Sequence, residues 1–461
     1  MSSRVLTVWT PEDAHFWEEQ GKAVAYRNLW ISIPALFLSF AVWMVWSVVV
    51  VNLQSIGFSF DADKLFWLAA LPGLSGATLR IFYSFMVPIF GGRTWTTIST
   101  ASLLIPAVGI GFAVRDPGTS YSTMLLLAFL CGLGGGNFAS SMSNISFFFP
   151  KALKGTALGL NAGLGNLGVS AMQFLVPLVI TGGMFGALCG APQVCVVKGV
   201  STSVWMQNAG FVWVPFIVLS TLAAWFGMND IADAKASFKE QSVIFKRKHN
   251  WIMCWLYLGT FGSFIGYSAG LPLLIKSQFP AINPMQYAFL GPLVGALCRP
   301  LGGWIADKVG GARVTFWNFI AMTAAAFGVL HYLPTQGNSG SFWGFLAMFI
   351  VMFVTTGIGN GSTFRMIPVI FLTERQRAAG DVRREAQARA AAEAGKEAAA
   401  VLGFCSAFAA YGAFFIPKAF GTSIAHTGGP QAALYGFLAF YLSCIALTWY
   451  WYSRRNAEMP C

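Results

Sequence analysis

The sequence predicts an all-α polytopic membrane protein, with about twelve transmembrane helices in two six-helix, pseudo-symmetric halves. Three observations carry this. The 461 residues are 56% hydrophobic and only 10% charged, with a mean hydropathy of +0.63, against roughly 45–50% apolar and about 25% charged in soluble domains. Uncharged apolar runs of about 20 residues, the length that crosses a hydrocarbon core, recur from end to end. Short motifs of the first half also return, at matching positions, in the second.

Each expected element is such a run bounded by polar or turn residues. Residues 1–28 hold Arg4, Glu12, Asp13, Glu18 and Glu19 without a basic-apolar-small cleavage pattern, so they read as a polar cytoplasmic tail and not a removable signal. The first half, 29–228, contains Leu29–Leu53, Leu65–Phe90, Trp95–Val114, Tyr121–Phe149, Leu153–Ile180 and Met206–Met228. A polar central loop, 229–250, ends in Lys246-Arg247-Lys248. The second half, 251–452, contains Trp251–Ile275, Tyr287–Ala306, Val314–Leu333, Ser341–Phe371, Ala399–Phe420 and Ala432–Trp451. Between its fourth and fifth spans, 372–398 is rich in Ala, Arg and Glu and is expected as a cytoplasmic connection, helical and solvated or lying at the interface. Residues 453–461 form a second cytoplasmic tail.

Orientation follows from the basic residues. With the first tail inside, most of the 29 lysines and arginines fall in cytoplasmic loops, leaving Lys64, Arg115, Lys198 and Lys276 outside. The positive-inside rule then puts both termini in the cytoplasm of a multi-pass, inner-membrane protein. The net charge of +12 is dispersed over many loops that face lipid headgroups and forms no stripe of the kind nucleic acid requires. Most of the eight cysteines fall in spans and read as small packing residues; Cys189 and Cys195 share an outside loop and could pair.

The internal repeat is specific. Gly76-Ala-Thr-Leu-Arg80 in the second span returns as Gly295-Ala-Leu-Cys-Arg299 in the eighth, and each arginine precedes a Gly-Gly pair, Gly91-Gly92 or Gly310-Gly311, by the same distance. Asn137 matches Asn360, and Gly159…Gly168 matches Gly403…Gly412. Two six-helix halves repeated in parallel is the plan of a major facilitator transporter.

A charge at a helix centre costs roughly 2.5–3.5 kcal/mol on insertion scales, so Arg80 and Arg299, well inside their spans, need a reason. A buried carboxylate would supply one, but every acidic residue maps to a tail, a loop or a span end, and the histidines are peripheral. Paired guanidiniums at equivalent positions instead suit a small anion, and their planar donor fork suits a flat oxyanion better than a halide. Asn166 within Gly159–Gly168 is open to two readings, an anion donor or a helix–helix hydrogen bond. The glycines around it fit close helix packing as well as a transport role. Tyr257 and Phe261 stand one turn apart on one face of the seventh span.

On Arg80 within Leu79-Arg-Ile-Phe-Tyr-Ser-Phe-Met-Val-Pro-Ile-Phe-Gly-Gly-Arg93, Asn137–Lys151, and the runs Gly159–Gly168 and Gly403–Gly412, the chain resembles the nitrate/nitrite porters of the major facilitator superfamily over essentially its whole length. The resemblance implies that Arg80 and Arg299 clamp the substrate, Asn166 and Tyr257 donate hydrogen bonds, and Phe138, Phe261 and Phe40 wall a flat anion. Gly159, Gly163, Gly165, Gly168, Gly403 and Gly412 would be the signature glycines on which helices slide. Ala162 and Ala409 depart from the expected signatures by one methyl each.

The expected activity is secondary transport, nitrate inward against nitrite outward, because no titratable group other than arginine lies in the membrane core to carry a proton. Nitrate/proton symport is the alternative. No catalytic cluster, metal site or cofactor motif is seen, which argues against an enzyme, and the resemblance favours a functional monomer.

Overall fold

The computed structural model describes residues 4–184, 190–197, 200–232, 242–335, 337–380 and 384–461. Cys189, and with it the Cys189–Cys195 pairing, lies outside the described residues. Among the described residues twelve helices are long and apolar enough to cross a membrane. They are α1 Ala14–Ile56, α2 Ala62–Tyr83, α3 Gly92–Ala113, α4 Tyr121–Phe148, α5 Lys151–Val179, α6 Asn208–Gly227, α7 Lys248–Gln278, α8 Pro284–Val309, α9 Gly311–Tyr332, α10 Phe342–Ala379, α11 Arg389–Thr427 and α12 Gln431–Ser453. Local chemistry starts them where the chain says it should: Asp61, Ser120 and Ser341 are side-chain N-caps of α2, α4 and α10.

Several helices overrun their apolar runs. α1 begins inside the polar tail, and α10 continues to Ala379. The expected 372–398 connection is helical over much of its length, and in it Ala390, Ala394 and Ala398 are buried along one face of α11. Beside them Glu397 accepts hydrogen bonds from Arg375 (2.6 Å) and Arg247 (3.1 Å). A polar composition hides a helix whose small face packs while its charged face pairs.

Among the described residues four short strands accompany the helices. β1 (Val5–Leu6) pairs in parallel with β4 (Asp230–Ile231), tying the first tail to the end of α6. β2 (Gln193–Val197) and β3 (Val200–Val204) form an antiparallel hairpin between α5 and α6.

The repeated Gly-Gly pairs have a common role. Gly91 (φ +86°) and Gly310 (φ +99°) stand at the N-caps of α3 and α9, in a backbone region that side-chain-bearing residues avoid. Each helix start is then capped by chain that follows the sixth helix of its own half. The Asp230 carboxylate accepts from the Arg93 backbone N–H at 2.8 Å and pairs with its side chain at 3.2 Å. The Cys461 carbonyl accepts from the Ala312 N–H at 2.9 Å.

The chain divides into two compact units. The first is Met1–Lys235 with Gly266–Leu293 and Ala413–Ala425; the second is Ala236–Ile265, Val294–Gly412 and His426–Cys461. The first unit therefore holds α1–α6 together with C-terminal parts of α7 and α11 and the N-terminal part of α8.

Candidate functional site

In the first unit, glycine sets the position of Arg80. A Cβ on Gly135 would lie 2.7 Å from the Gly76 Cα, and one on Gly76 would lie 2.5 Å from the Trp43 indole nitrogen. Only bare backbone lets α2, α4 and Trp43 meet so closely. One turn beyond Gly76, Arg80 is fully buried, and its Nε donates to the Gly135 carbonyl at 2.8 Å. The guanidinium carbon lies 4.7 Å from the Phe138 ring centre, 5.0 Å from Trp43 and 6.0 Å from Phe40. Trp43 is itself fixed by donating to the Pro72 carbonyl at 2.7 Å. The plane of the fork is thus held by the hydrogen bond to Gly135 and by aromatic faces, which favour a cation electrostatically.

Asn166 on α5 is 1% exposed, and neither its Oδ1 nor its Nδ2 has a hydrogen-bond partner among the described residues. A buried polar group left unmet costs about 1–3 kcal/mol. Among the described residues the helix–helix hydrogen bond considered for this amide is not made.

In the second unit, Tyr257 and Phe261 stack with centroids 5.6 Å apart and planes 14° from parallel. Tyr257 is the N-cap of a π-helical turn, Leu258–Gly262, that contains Phe261 and is of the kind that often marks functional sites. Arg299 on α8 lies 5.4 Å from the Phe364 ring centre, and its Nη2 makes a long 3.5 Å contact to the Tyr257 hydroxyl. Its Nη1 has no partner among the described residues. Glycine again allows the approach: a Cβ on Gly361 of α10 would lie 2.2 Å from the Arg299 carbonyl.

The structure therefore groups Arg80, Phe40 and Phe138 in one unit, and Arg299, Tyr257 and Phe261 in the other. Sequence reasoning did not single out Trp43 or Phe364. With 17 Trp and 42 Phe in the chain, no composition signal distinguishes a ring facing a guanidinium from one packing the core.

The signature glycines divide. Gly165, Gly168 and Gly412 sit against Leu36, the Phe37 carbonyl and the Gly262 backbone, where a Cβ would approach to 2.7, 2.1 and 2.2 Å. Gly159, Gly163 and Gly403 have nothing within 4 Å of a Cβ among the described residues. Ala162 and Ala409 are buried. Of the remaining charges in spans, Arg365 pairs with Asp307 and Lys418 with Asp63 at 2.7 Å. His249 and Glu397, peripheral in sequence, are 2% and 7% exposed and lie near the N-terminal end of α7 and in the N-terminal third of α11.

The Major Facilitator Superfamily family model matches residues 33–380. The chain is similar to the nitrate/nitrite transporter NarU of Salmonella typhimurium, at 54% identity over 98% of this chain and 97% of the relative. It is also similar to the probable nitrate/nitrite antiporter NarK2 of Thermus thermophilus, at 44% identity over 99% and 98%. Among solved structures, a bacterial homolog of the human lysosomal transporter Spinster, inward-facing and occupied, has a TM-score of 0.62. It covers 93% of this chain and 96% of its own at 15% identity, a likeness of fold alone.

Proposed function

Since the chain belongs to the nitrate/nitrite porters of the Major Facilitator Superfamily, and is a transporter and not an enzyme, we propose that it exchanges nitrate for nitrite across the inner membrane by alternating access. Both termini are then cytoplasmic, as the distribution of basic residues requires. Arg80 and Arg299 supply the cationic forks, Asn166 and Tyr257 the hydrogen-bond donors, and Phe40, Phe138 and Phe261 the flat walls. The observation that carries this reading is the state of these polar groups: two deeply placed guanidiniums braced by aromatic rings, with an unmet Asn166 amide and an unmet Arg299 Nη1.

Such a site binds a flat monovalent anion through charge and bidentate geometry together. Empty, it holds two guanidinium charges that a bound anion offsets, so the unloaded carrier closes poorly and returns slowly. Nitrate and nitrite are both planar and singly charged. Either satisfies the site, and the exchange moves no net charge.

Proton symport has one observation in its favour, the burial of His249 and Glu397. Glu397 is bonded to Arg375 and Arg247 and His249 to Tyr452, all within the second unit. These partners occupy both groups in structural contacts, although His249 lies on α7, the helix that carries Tyr257. The substrate assignment is tested by competing labelled nitrate with unlabelled anions in reconstituted vesicles. Nitrite should compete at concentrations comparable to nitrate and chloride only at far higher ones; equal competition by chloride would reject the planar-oxyanion site.

A further inference from the structure

In the first unit the C-terminal part of α11 seals against α2. A Cβ on Gly73 would lie 2.4 Å from the Ala413 carbonyl carbon, and one on Gly421 would lie 2.6 Å from the Phe66 Cβ, so the helices touch backbone to backbone at Gly73 and backbone to ring-bearing side chain at Gly421. The Trp67 and Phe414 rings pack at 5.8 Å between these points. Gly73 precedes Arg80 by seven residues, about 10 Å of helix, so this seam lies between Arg80 and the N-terminal end of α2. In the topology proposed above, that end faces outside.

Within the seam lies an ion pair that its closure does not need. Lys418 is 2.7 Å from Asp63, with side chains 23% and 40% exposed, and its ammonium sits 4.5 Å from the Trp67 ring centre. Partly exposed pairs of this kind add little to a contact already made by backbone and rings. The charge matters when the seam parts, because Lys418 leaves with α11 while Asp63 stays on α2. An unneutralised ammonium then stands at the mouth of the path to Arg80.

We propose that Lys418 is a receiving site for the external oxyanion, masked by Asp63 while the outer face is closed and exposed when it opens. The inference rests on the exchange reading and the orientation given above. Lys418 raises the local anion concentration at the entry, and Asp63 competes with the anion for it. Pairing again with Asp63 on closure displaces the anion inward, toward Arg80.

The test measures nitrate exchange in oriented vesicles, with KM determined separately from the two faces. Lys418→Gln should raise the external KM about three- to tenfold, an effect that shrinks in high concentrations of a non-transported salt. Lys418→Arg, which keeps the charge, should stay near the parent value. Asp63→Asn, which frees the lysine, should lower the external KM. A latch without an anion role makes the opposite demand: Lys418→Gln and Asp63→Asn both break the pair and should shift KM in the same direction, which would overturn the proposal. An effect confined to the other face would overturn it too. A parent protein that does not exchange nitrate defeats the exchange reading itself, whereas an active parent with an indifferent Lys418→Gln variant defeats only this inference.

Discussion

Arg80 shows how much a single residue discloses and what it withholds. A charge inside an apolar run is conspicuous because the membrane makes it expensive, so Arg80 and Arg299 were legible from sequence alone. The brace was not. That the Gly135 carbonyl takes the Arg80 Nε, and that Trp43 and Phe364 face the two guanidiniums, depends on helix contacts that no local pattern encodes. Asn166 is open to two readings in sequence, and among the described residues its amide has no hydrogen-bond partner. The prediction at this scale concerns fork against charge. Arg80→Lys or Arg299→Lys keeps the charge but loses the planar donors, and in vesicles carrying equal amounts of folded protein either should reduce nitrate kcat/KM by roughly 100-fold or more. Parent-like exchange in either variant would remove that arginine from the site.

The twelve helices were legible because a bilayer demands long apolar runs, and Gly-Gly turns and polar loops separate them. Their ends were less so. α10 and the start of α11 run on through charged sequence, stabilised by the Glu397 pairs and a buried alanine face that hydropathy does not register. The π-helical turn in α7 was also invisible, since an extra residue per turn leaves no compositional mark. Two predictions belong to this scale. Asp230→Asn weakens the cap on α3 and leaves Arg93, whose side chain is 11% exposed, without its counter-charge; a loss of about 3 kcal/mol should appear as a lower unfolding temperature in detergent. Gly163→Ala meets nothing within 4 Å among the described residues, so its unfolding temperature should match the parent while exchange slows if α5 slides on that face. A parallel loss of stability would show instead that Gly163 packs in the resting protein.

At the scale of the molecule, the repeat of Gly76–Arg80 in Gly295–Arg299 was the feature that pointed to two halves and to their anion chemistry. The positive-φ turns at Gly91 and Gly310 give the repeat a structural counterpart, since each opens the helix that follows it. Orientation is open to a direct check. A cysteine replacing Thr119, between α3 and α4, should react with a membrane-impermeant maleimide applied to intact cells, and one replacing Gly380, after α10, should react only once the membrane is opened. The reverse pattern would invert the topology and, with it, the sidedness assigned to Lys418.

The exchange cycle is tested most directly in liposomes loaded with nitrite or with an inert anion, by following labelled nitrate uptake with and without an imposed pH gradient. A site of two fixed cations and no proton carrier predicts rapid uptake only into nitrite-loaded vesicles, unchanged by the gradient. Uptake into nitrite-free vesicles driven by the proton gradient would contradict it and would point to a proton path that the arginine pair does not provide.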